Sequence, residues 1–346
     1  MKVGILIKDL EESFVLKYFD ILKHNNIDFV TFNVTEAIER VKSEKITHLI
    51  YRWSHYDDER QIAHTILPII ENELEVKCFP NQKTCWHYDD KIRQYYLLNS
   101  KGYPITESWV FWDKKSALSW AENAELPVVF KTKMGAGSTN VILIKDKKEL
   151  NKIINIMFGS GIKTGAIPMS DNVRSKDFEM LKFIKKNLSN IKRKIDGRYR
   201  IRNWQTERGY VLFQKFLPNN DFDTRVTVIG GRAFAFRRFN RENDFRSSGS
   251  GKIDHDKTKI DMDFIKLAQK VSKEMGFQSM AYDMLRNEKG DPEFCEISYT
   301  YQDKAVYNCL GYWDEDLNWH EGHFWPQYWQ LVDFFGIDLK QLEKQG

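Results

Sequence analysis

Two acidic side chains, Asp283 and Glu296, belong to two apolar runs that the turn residues 287–291 join. The pattern predicts two neighbouring buried strands, which would bring the carboxylates together. Carboxylates so placed repel each other unless a cation lies between them. Mg²⁺ bound by one or two carboxylates and by phosphate oxygens would remove the repulsion, so the pair predicts a magnesium and phosphate site. The alternative is a pair of buried salt bridges to Arg237 or Lys252.

A basic residue next to a run of small residues indicates the same chemistry. Lys131 ends a predicted strand, and the loop after it contains Gly135, Ala136, Gly137 and Ser138. The next predicted strand follows at once, so this is a hairpin and not the strand–loop–helix of a P-loop. Glycine lets backbone N–H groups approach phosphate oxygens, and the lysine supplies a positive charge for them. A purely structural hairpin is the alternative.

A third group of candidates lies where a predicted strand ends, at Gln214, Lys215 and Phe216. Irregular backbone at this point can pair with adenine, while an apolar side chain lines the purine pocket. Asp223 and Arg225 alternate on the next strand and therefore share one face. The carboxylate could hold a ribose hydroxyl and the guanidinium a phosphate or acyl-phosphate. The alternative is an Asp–Arg pair on the surface of the sheet.

The elements that must position these residues begin with alternating strands and helices. Apolar periodicity predicts strands at 3–7, 28–33 and 47–51 and helices at 14–22 and 35–41. This alternation predicts a small parallel sheet that helices cover on both faces. Polar residues that follow its strands, Lys8–Asp9 and Arg52–His55, would face a cleft at the carboxyl edge of the sheet, with ordinary solvated loops as the alternative.

The later elements surround a basic segment. The predicted helices are 88–98, 115–122 and 261–275, and the predicted strands are 108–111, 127–131, 141–145, 210–216, 224–229, 232–238, 280–286 and 293–298. The segment 159–202 is rich in Lys and Arg and poor in acids, with a helix predicted around 176–195. It is either a solvated surface appendage or a lid that contacts substrate.

Composition limits the class of protein. The 346 residues are 42% apolar and 29% charged, as in a globular protein of two or three lobes. A net charge of +4 is too small to indicate a nucleic-acid partner. The 4 cysteines form no close pair, which argues against a disulfide framework and predicts a reducing compartment, the cytoplasm. No apolar run reaches the roughly 20 residues of a membrane helix, so no membrane partner is expected.

In order along the chain, these motifs resemble those of the ATP-grasp superfamily. The resemblance is closest to the bacterial ligases that add glutamate to a ribosomal protein and to glutathione synthetase-like carboxylate–amine ligases. It covers residues 80–302 and rests on Asp90–Lys91, Val128–Lys131 with Gly135–Ser138, Phe213–Phe216, Asp223–Arg225, Arg237–Arg238 with Asn243–Ser247, Asp283 and Glu296. It implies an α/β (α+β) protein in which an N-terminal parallel α/β lobe precedes two α+β subdomains that clamp ATP.

For the nucleotide, the resemblance implies a role for each matching residue. Lys91 and Lys131 would hold phosphates. The backbone of Lys215 and Phe216 would hold adenine, and Asp223 would hold the ribose. The family usually has Glu at the position of Lys215, but backbone groups read adenine there, so the change leaves the assignment intact.

For the reaction, the resemblance implies that Arg246 stabilises the transferring phosphoryl group, with Arg225 as a second catalytic arginine. Asp283 and Glu296 would bind Mg²⁺. The family usually has Glu-x-Asn at the second metal position, whereas this chain has Glu296 followed by Ser298. Because serine has a shorter reach, water would complete part of the metal shell.

These assignments predict five segments. They are a pre-ATP-grasp α/β domain at 1–85, a small lobe at 86–145, the basic insert at 146–205, a large lobe at 206–302 and an aromatic-rich tail at 303–346 that packs on the core. Two histidines of the tail match no zinc signature, so we interpret the tail as aromatic packing, with acceptor binding or a sugar-linked substrate as alternatives. Exposed aromatic residues there would suit a homodimer.

The expected function is an ATP- and Mg²⁺-dependent ligase that joins a small-molecule carboxylate to an amine through an acyl-phosphate. The carboxylate would belong to an amino acid or a sugar-linked compound. Three alternatives stay open: a small-molecule kinase on the same fold, a nucleotide-binding protein without activity, and a nucleic-acid binder that uses the insert. The kinase would leave a stable phosphorylated product, and nucleic-acid binding would weaken steeply with salt.

Overall fold

The computed structural model describes residues 1–7, 13–135, 140–163 and 204–342. The helix predicted around 176–195 lies outside these ranges, as do Lys8, Asp9, Ala136, Gly137 and Ser138. In the part of the chain that is described, no helix is long and apolar enough to cross a membrane.

The first sheet is parallel, as predicted. Its strands are β1 (Val3–Ile7), β2 (Phe29–Asn33), β3 (His48–Ile50) and β4 (Lys77–Phe79), in the order β2–β1–β3–β4. Its helices are α1 (Ser13–His24), α2 (Ala37–Ser43) and α3 (Asp57–Pro68), with a 3₁₀ turn at Val34–Glu36 and a π-helical turn at Ile69–Glu73. Helix α3 begins inside the polar segment 54–59 that follows β3. Three acidic residues in the first turn of α3 favour that start through the helix dipole.

The second sheet is antiparallel and forms the small lobe. Two helices lead into it, α4 (Gln82–Cys85) and α5 (Lys91–Ser100). Its first strands are β5 (Ser108–Phe111), β6 (Val128–Lys131) and β7 (Val141–Ile144), and its helices are α6 (Lys114–Asn123) and α7 (Lys147–Met157). A short ladder of β8 (Ile162–Lys163) and β9 (Thr206–Glu207) leads to β10 (Val211–Lys215), which gives the order β5–β10–β6–β7.

Strand β10 belongs to a different lobe from the one predicted. We expected it in the large lobe at 206–302, but it pairs with β5 and β6 of the small lobe. The reason is packing, because Phe213 of β10 stacks on Trp120 of α6 with ring centroids 5.1 Å apart. Helix α7 also occupies residues that we assigned to the basic insert. Its buried residues belong to the small-lobe core.

The third sheet forms the large lobe. Its strands are β11 (Phe222–Ile229), β12 (Arg232–Phe239), β13 (Ile253–Asp254), β14 (Ser279–Arg286), β15 (Pro292–Ser298), β16 (Gly311–Trp313) and β17 (Trp319–Glu321). Their order is β15–β14–β11–β12–β16–β17, with β13 paired to β12. Helix α8 (Met262–Met275) follows a 3₁₀ turn at Lys257–Lys259 and packs on this sheet. Ile229 lies opposite Arg232, so the two residues Gly230 and Gly231 form the turn between β11 and β12.

The tail joins the large lobe to the N-terminal lobe through α9 (Asp303–Tyr307), β16, β17 and α10 (Pro326–Phe335). Strand β16 extends the large sheet, and α10 packs on α1, where the Tyr18 hydroxyl donates to Gln330 Oε1 at 2.5 Å. Tyr312, Trp313 and Tyr328 are buried. These three therefore give no support to the dimer that we predicted from exposed aromatic residues.

The tail histidines bond to neighbours within the tail. His320 Nε2 lies 2.7 Å from Asp314 Oδ2, and His323 Nδ1 lies 2.9 Å from the carbonyl oxygen of Tyr307. Among the residues described, no group of three His, Cys, Asp or Glu side chains is placed to hold a metal ion. These contacts agree with the interpretation of the tail as packing.

Candidate functional site

A cavity of about 700 Å³ is lined by both antiparallel sheets and by loops of the N-terminal lobe. Every candidate from the sequence that the structure describes lines it: Lys91, Lys131, Gly135, Gln214, Lys215, Phe216, Asp223, Arg225, Arg246, Asp283, Glu296 and Ser298. The fold thus brings together residues that are up to two hundred positions apart, as Lys91 and Glu296 show with Nζ and Oε1 3.4 Å from each other.

The partners of the buried Lys131 side chain among the described residues are neutral. Its Nζ donates to Gln214 Oε1 at 2.5 Å and lies 3.4 Å from Cys295 Sγ. Burial raises the pKa of the Cys295 thiol, which therefore stays uncharged. Within the described ranges, Lys131 forms no ion pair with a carboxylate. Because a buried ammonium without a counter-charge is unfavourable, this position favours an anion in the cavity.

The two acids before α5, Asp89 and Asp90, make different contacts. The Asp90 carboxylate accepts hydrogen bonds from the N–H groups of Ile92 and Arg93 and caps α5. Asp89 lines the cavity instead, where Oδ1 accepts the N–H of Gly135 at 3.1 Å. No role could be assigned to Asp89 from the sequence, because two acids in the first turn of a helix also suit the helix dipole. The left-handed backbone of Asp89, with φ +53°, turns it away from the helix, and no pattern in the sequence signals this.

Lys91, the cation that follows this pair, contacts Glu296, which is a predicted metal ligand. Lys91 Nζ donates to the carbonyl oxygen of Gly135 at 3.0 Å and lies 3.4 Å from Glu296 Oε1. Burial acts to lower the pKa of Lys91, but the carboxylates of Glu296 and Asp89 outweigh it and raise that pKa. Lys91 is therefore a fixed positive charge at the junction of the glycine loop and the acidic strand β15.

The stability of the protein is expected to depend on the ionisation of Asp89. Burial raises the pKa of Asp89 from 3.8 to about 7, although Lys91 opposes the shift. The unfolded chain thus loses this proton first, so stability is lost as pH rises from about 4 to about 7 and stays lost above that. We expect Asp89→Asn to be more stable than the wild type at pH 8, by on the order of 1–2 kcal/mol, with a smaller difference at pH 5. Urea unfolding at both pH values measures this; an equal difference at the two values would contradict it.

Two arginines and two aspartates form a buried cluster across three strands. Arg225 Nε and Nη2 donate to Asp283 Oδ1 and Oδ2 at 2.6 and 2.7 Å. Arg238 Nε and Nη2 donate to Asp223 at 2.7 and 2.5 Å, and Nη2 also lies 2.7 Å from Asp283 Oδ2. Asp223 and Arg225 therefore share a face, as predicted, but each pairs with a neighbouring strand. Such bidentate pairs are strong and directional.

Asp283 does form buried salt bridges, but not those named in the alternative. Its partners are Arg225 and Arg238, whereas Arg237 pairs with Asp254. Burial opposes the charge of Asp283, but the two guanidinium groups outweigh it and hold its pKa well below the usual range. Sequence reasoning included Arg238 in a motif without giving it a role, because its partners lie on other strands.

The residues predicted for the metal fit a magnesium site in position and chemistry. Asp283 and Glu296 lie directly opposite each other on β14 and β15 and both line the cavity. Mg²⁺ needs only one or two carboxylates when phosphate oxygens and water complete its shell. Ser298 is less well placed, because its hydroxyl donates to the carbonyl oxygen of Thr300 at 2.7 Å. Asp283 and Glu296 would therefore be the principal protein ligands, and both now pair with cations.

Arg246 connects the large lobe to the small lobe. Its Nε and Nη2 donate to the Asp244 carboxylate at 2.9 and 2.6 Å, and its Nη1 donates to the carbonyl oxygen of Val141 at 3.3 Å. Burial acts against the charge of Asp244, but its bonds to Arg246 lower its pKa. This guanidinium is fixed at the mouth of the glycine hairpin, where a phosphoryl group could be contacted.

The predicted adenine end is apolar. The Phe216 ring meets Phe245 edge to face at 5.8 Å, and Leu217, Val129 and Leu285 also line the cavity. The N–H of Lys215 donates to the carbonyl oxygen of Glu107 at 2.8 Å, so this donor is already used. Backbone recognition of adenine would therefore rely on the carbonyl of Lys215 and on the two residues that follow.

Comparison with solved structures identifies the fold of this protein. The chain is similar to a RimK-domain ATP-grasp protein from Sphaerobacter thermophilus, with a TM-score of 0.56 and 13% identity over 96% of this chain and 99% of that chain. Biotin carboxylase from Campylobacter jejuni, solved with β-γ-ATP, gives a TM-score of 0.58 and 12% identity over 98% of this chain and 72% of that one. The ATP-grasp ligase PsnB, solved with a minimal precursor, Mg and ADP, gives 0.52 and 13% over 89% and 92%. The predicted ATP-grasp fold is confirmed.

The family comparison is more specific. Residues 180–311 match the model of the RimK-like ATP-grasp domain. No curated protein sequence matched the chain. This stretch of the chain, residues 180–311, is therefore similar to a RimK-like ATP-grasp domain, in agreement with the motifs there.

Proposed function

We propose that this protein is an ATP- and Mg²⁺-dependent ligase that joins a small-molecule carboxylate to an amine through an acyl-phosphate. One observation carries the proposal. The buried Lys131, whose described partners are neutral, lines the same cavity as the opposed carboxylates Asp283 and Glu296. An unneutralised cation for phosphate beside an acidic pair for a metal is the arrangement that a metal-bound nucleoside triphosphate requires.

The residues support a two-step reaction. A substrate carboxylate oxygen attacks the γ-phosphorus of ATP, and ADP leaves. The amine then attacks the acyl-phosphate carbonyl, loses a proton and releases phosphate. Lys91 and Lys131 would hold the phosphates and Arg246 the transferring group, while bound Mg²⁺ would neutralise charge on the phosphate oxygens. The surrounding lobes would exclude water from the acyl-phosphate.

The substrates would occupy lining that the nucleotide assignments leave unused. That lining comes from loops that follow β3 and precede α5 and includes Arg52, His55 and Tyr88. Thr300 completes it, and its hydroxyl donates to the Tyr88 hydroxyl at 2.8 Å. These groups are polar and cationic, which suits an amino acid or a sugar-linked carboxylate.

Release of ADP and phosphate tests the proposal. The purified protein is incubated with ATP, Mg²⁺ and a panel of amino acids and sugar acids, each with and without a panel of amines. We expect release that requires both a carboxylate and an amine, with an amide as product. A stable phosphorylated product formed without an amine would contradict the ligase and identify a kinase. ATP binding with no turnover on any pair would favour a nucleotide-binding protein without activity.

A further inference from the structure

The stem of the glycine loop is held from both sides by the segment 89–91. Asp89 Oδ1 accepts the N–H of Gly135 at 3.1 Å, and Lys91 Nζ donates to the carbonyl oxygen of Gly135 at 3.0 Å. The N–H of Lys91 also donates to the carbonyl oxygen of Lys133 at 2.8 Å. Both backbone polar groups of Gly135 are thus bound by side chains of a segment outside the small-lobe sheet.

The sheet itself does not hold this position. Pairing of β6 with β7 ends where Lys131 lies opposite Val141, so Gly135 stands beyond the ladder. Gly135 also has φ +121°, a conformation that L side chains rarely adopt. The orientation of its peptide groups therefore depends on Asp89 and Lys91.

Asp89 is in turn fixed by its surroundings. Its side chain is 4% exposed, and its Oδ2 lies 3.9 Å from Arg60 Nη1. The other terminal nitrogen of Arg60 donates to Asp57 Oδ1 at 3.1 Å and to Gln205 Oε1 at 2.9 Å. The carboxylate that receives the loop is therefore anchored to helix α3 of the N-terminal lobe.

We propose that Asp89 is a positioning residue for the nucleotide, which accepts the N–H of Gly135 and so fixes the peptide groups of Gly135 at the edge of the cavity, next to Lys91. This inference rests on the proposed function. Asp89 acts through the loop as a hydrogen-bond acceptor and does not contact the nucleotide itself. The acceptor oxygen is what matters, and an asparagine oxygen would serve as well.

Two variants distinguish the effect of losing the acceptor oxygen from the effects of losing the negative charge or changing the backbone conformation. Asp89→Asn keeps an acceptor oxygen, and Asp89→Gly removes it; both residues tolerate the left-handed conformation at this position. We expect the Kd for ATP with Mg²⁺, measured by titration calorimetry, to rise about tenfold in Asp89→Gly. In Asp89→Asn it should stay within about threefold of the wild type, which a general loss of folding would not produce.

Further measurements decide the outcome. Asp146→Gly removes an exposed acceptor of the Glu149 N–H in the same lobe and should leave the Kd unchanged. Equal weakening in Asp89→Asn and Asp89→Gly, or no weakening in either, overturns the inference. Lys131→Ala distinguishes this failure from failure of the proposed function. If Lys131→Ala binds ATP as tightly as the wild type, the proposed function itself is contradicted. If Asp89→Gly does not fold, hydrogen exchange of the wild type decides: the Gly135 amide must be protected, and exchange at the rate of an open loop overturns the inference.

Discussion

Lys131→Ala is expected to raise the Kd for ATP about 100-fold, because hydrogen bonds to charged groups contribute up to about 3 kcal/mol. The substitution removes a buried cation whose described partners, Gln214 and Cys295, are neutral. Since its loss leaves no carboxylate unpaired there, the fold should keep most of its stability. Titration calorimetry with ATP and Mg²⁺, together with thermal unfolding, measures both effects.

Lys145→Ala is the matched control. Lys145 is exposed just after the neighbouring strand β7, so its removal should change neither the affinity nor the unfolding temperature. Wild-type affinity in Lys131→Ala would show that no phosphate binds at this end of the cavity, and the assignment of the nucleotide would then be wrong.

Glu296→Gln is expected to lower the turnover number about 100- to 1000-fold, the usual loss when one group that stabilises transition-state charge is removed. The amide keeps the size of the side chain but loses the negative charge opposite Asp283. Nucleotide affinity should change less than tenfold, because Lys91, freed from its 3.4 Å contact with Glu296, remains beside the phosphates. The readouts are turnover with the carboxylate and amine that the wild type uses, and the dependence of ATP affinity on Mg²⁺ concentration.

A surface glutamate serves as the reference for this variant. Glu315 pairs with Lys273 on the exposed face of α8, so Glu315→Gln should behave as the wild type in both measurements. Full turnover in Glu296→Gln, or an unchanged Mg²⁺ dependence, would remove Glu296 from the metal site.

The pairing of Asp283 with Glu296 could be predicted because the pattern that produces it lies within a short stretch of sequence. Asp283 and Glu296 lie in two apolar runs separated by a short turn, so antiparallel pairing places them opposite each other. The ATP-grasp fold followed from several motifs in order. Helix α7 carried a readable signal, since Leu150, Ile153, Ile154 and Met157 have helical spacing, but the basic residues around it led us to assign it to the insert.

The partners of the charged residues could not be predicted from local pattern. Alternation places Asp223 and Arg225 on one face, yet their partners, Arg238 and Asp283, are set by which strands flank β11. The placement of β10 also depends on sheet order, which periodicity does not encode. The position of the Asp89 side chain depends on the left-handed backbone of Asp89 itself, which lies between α4 and α5. The individual roles of the site residues remain predictions until the variants are measured.

The ion pairs of the cavity have a consequence for how nucleotide and metal enter it. Each acid proposed to bind Mg²⁺ already has a cation as partner: Asp283 has Arg225 and Arg238, and Glu296 has Lys91. A metal ion arriving alone would displace these cations and leave them without counter-charges, and a triphosphate arriving alone would do the same to the carboxylates. If the two arrive together, the metal would bind the carboxylates and the phosphates would bind the displaced cations. Neither set of charges would then lack a partner. Metal and nucleotide would therefore each raise the affinity of the other by the same factor.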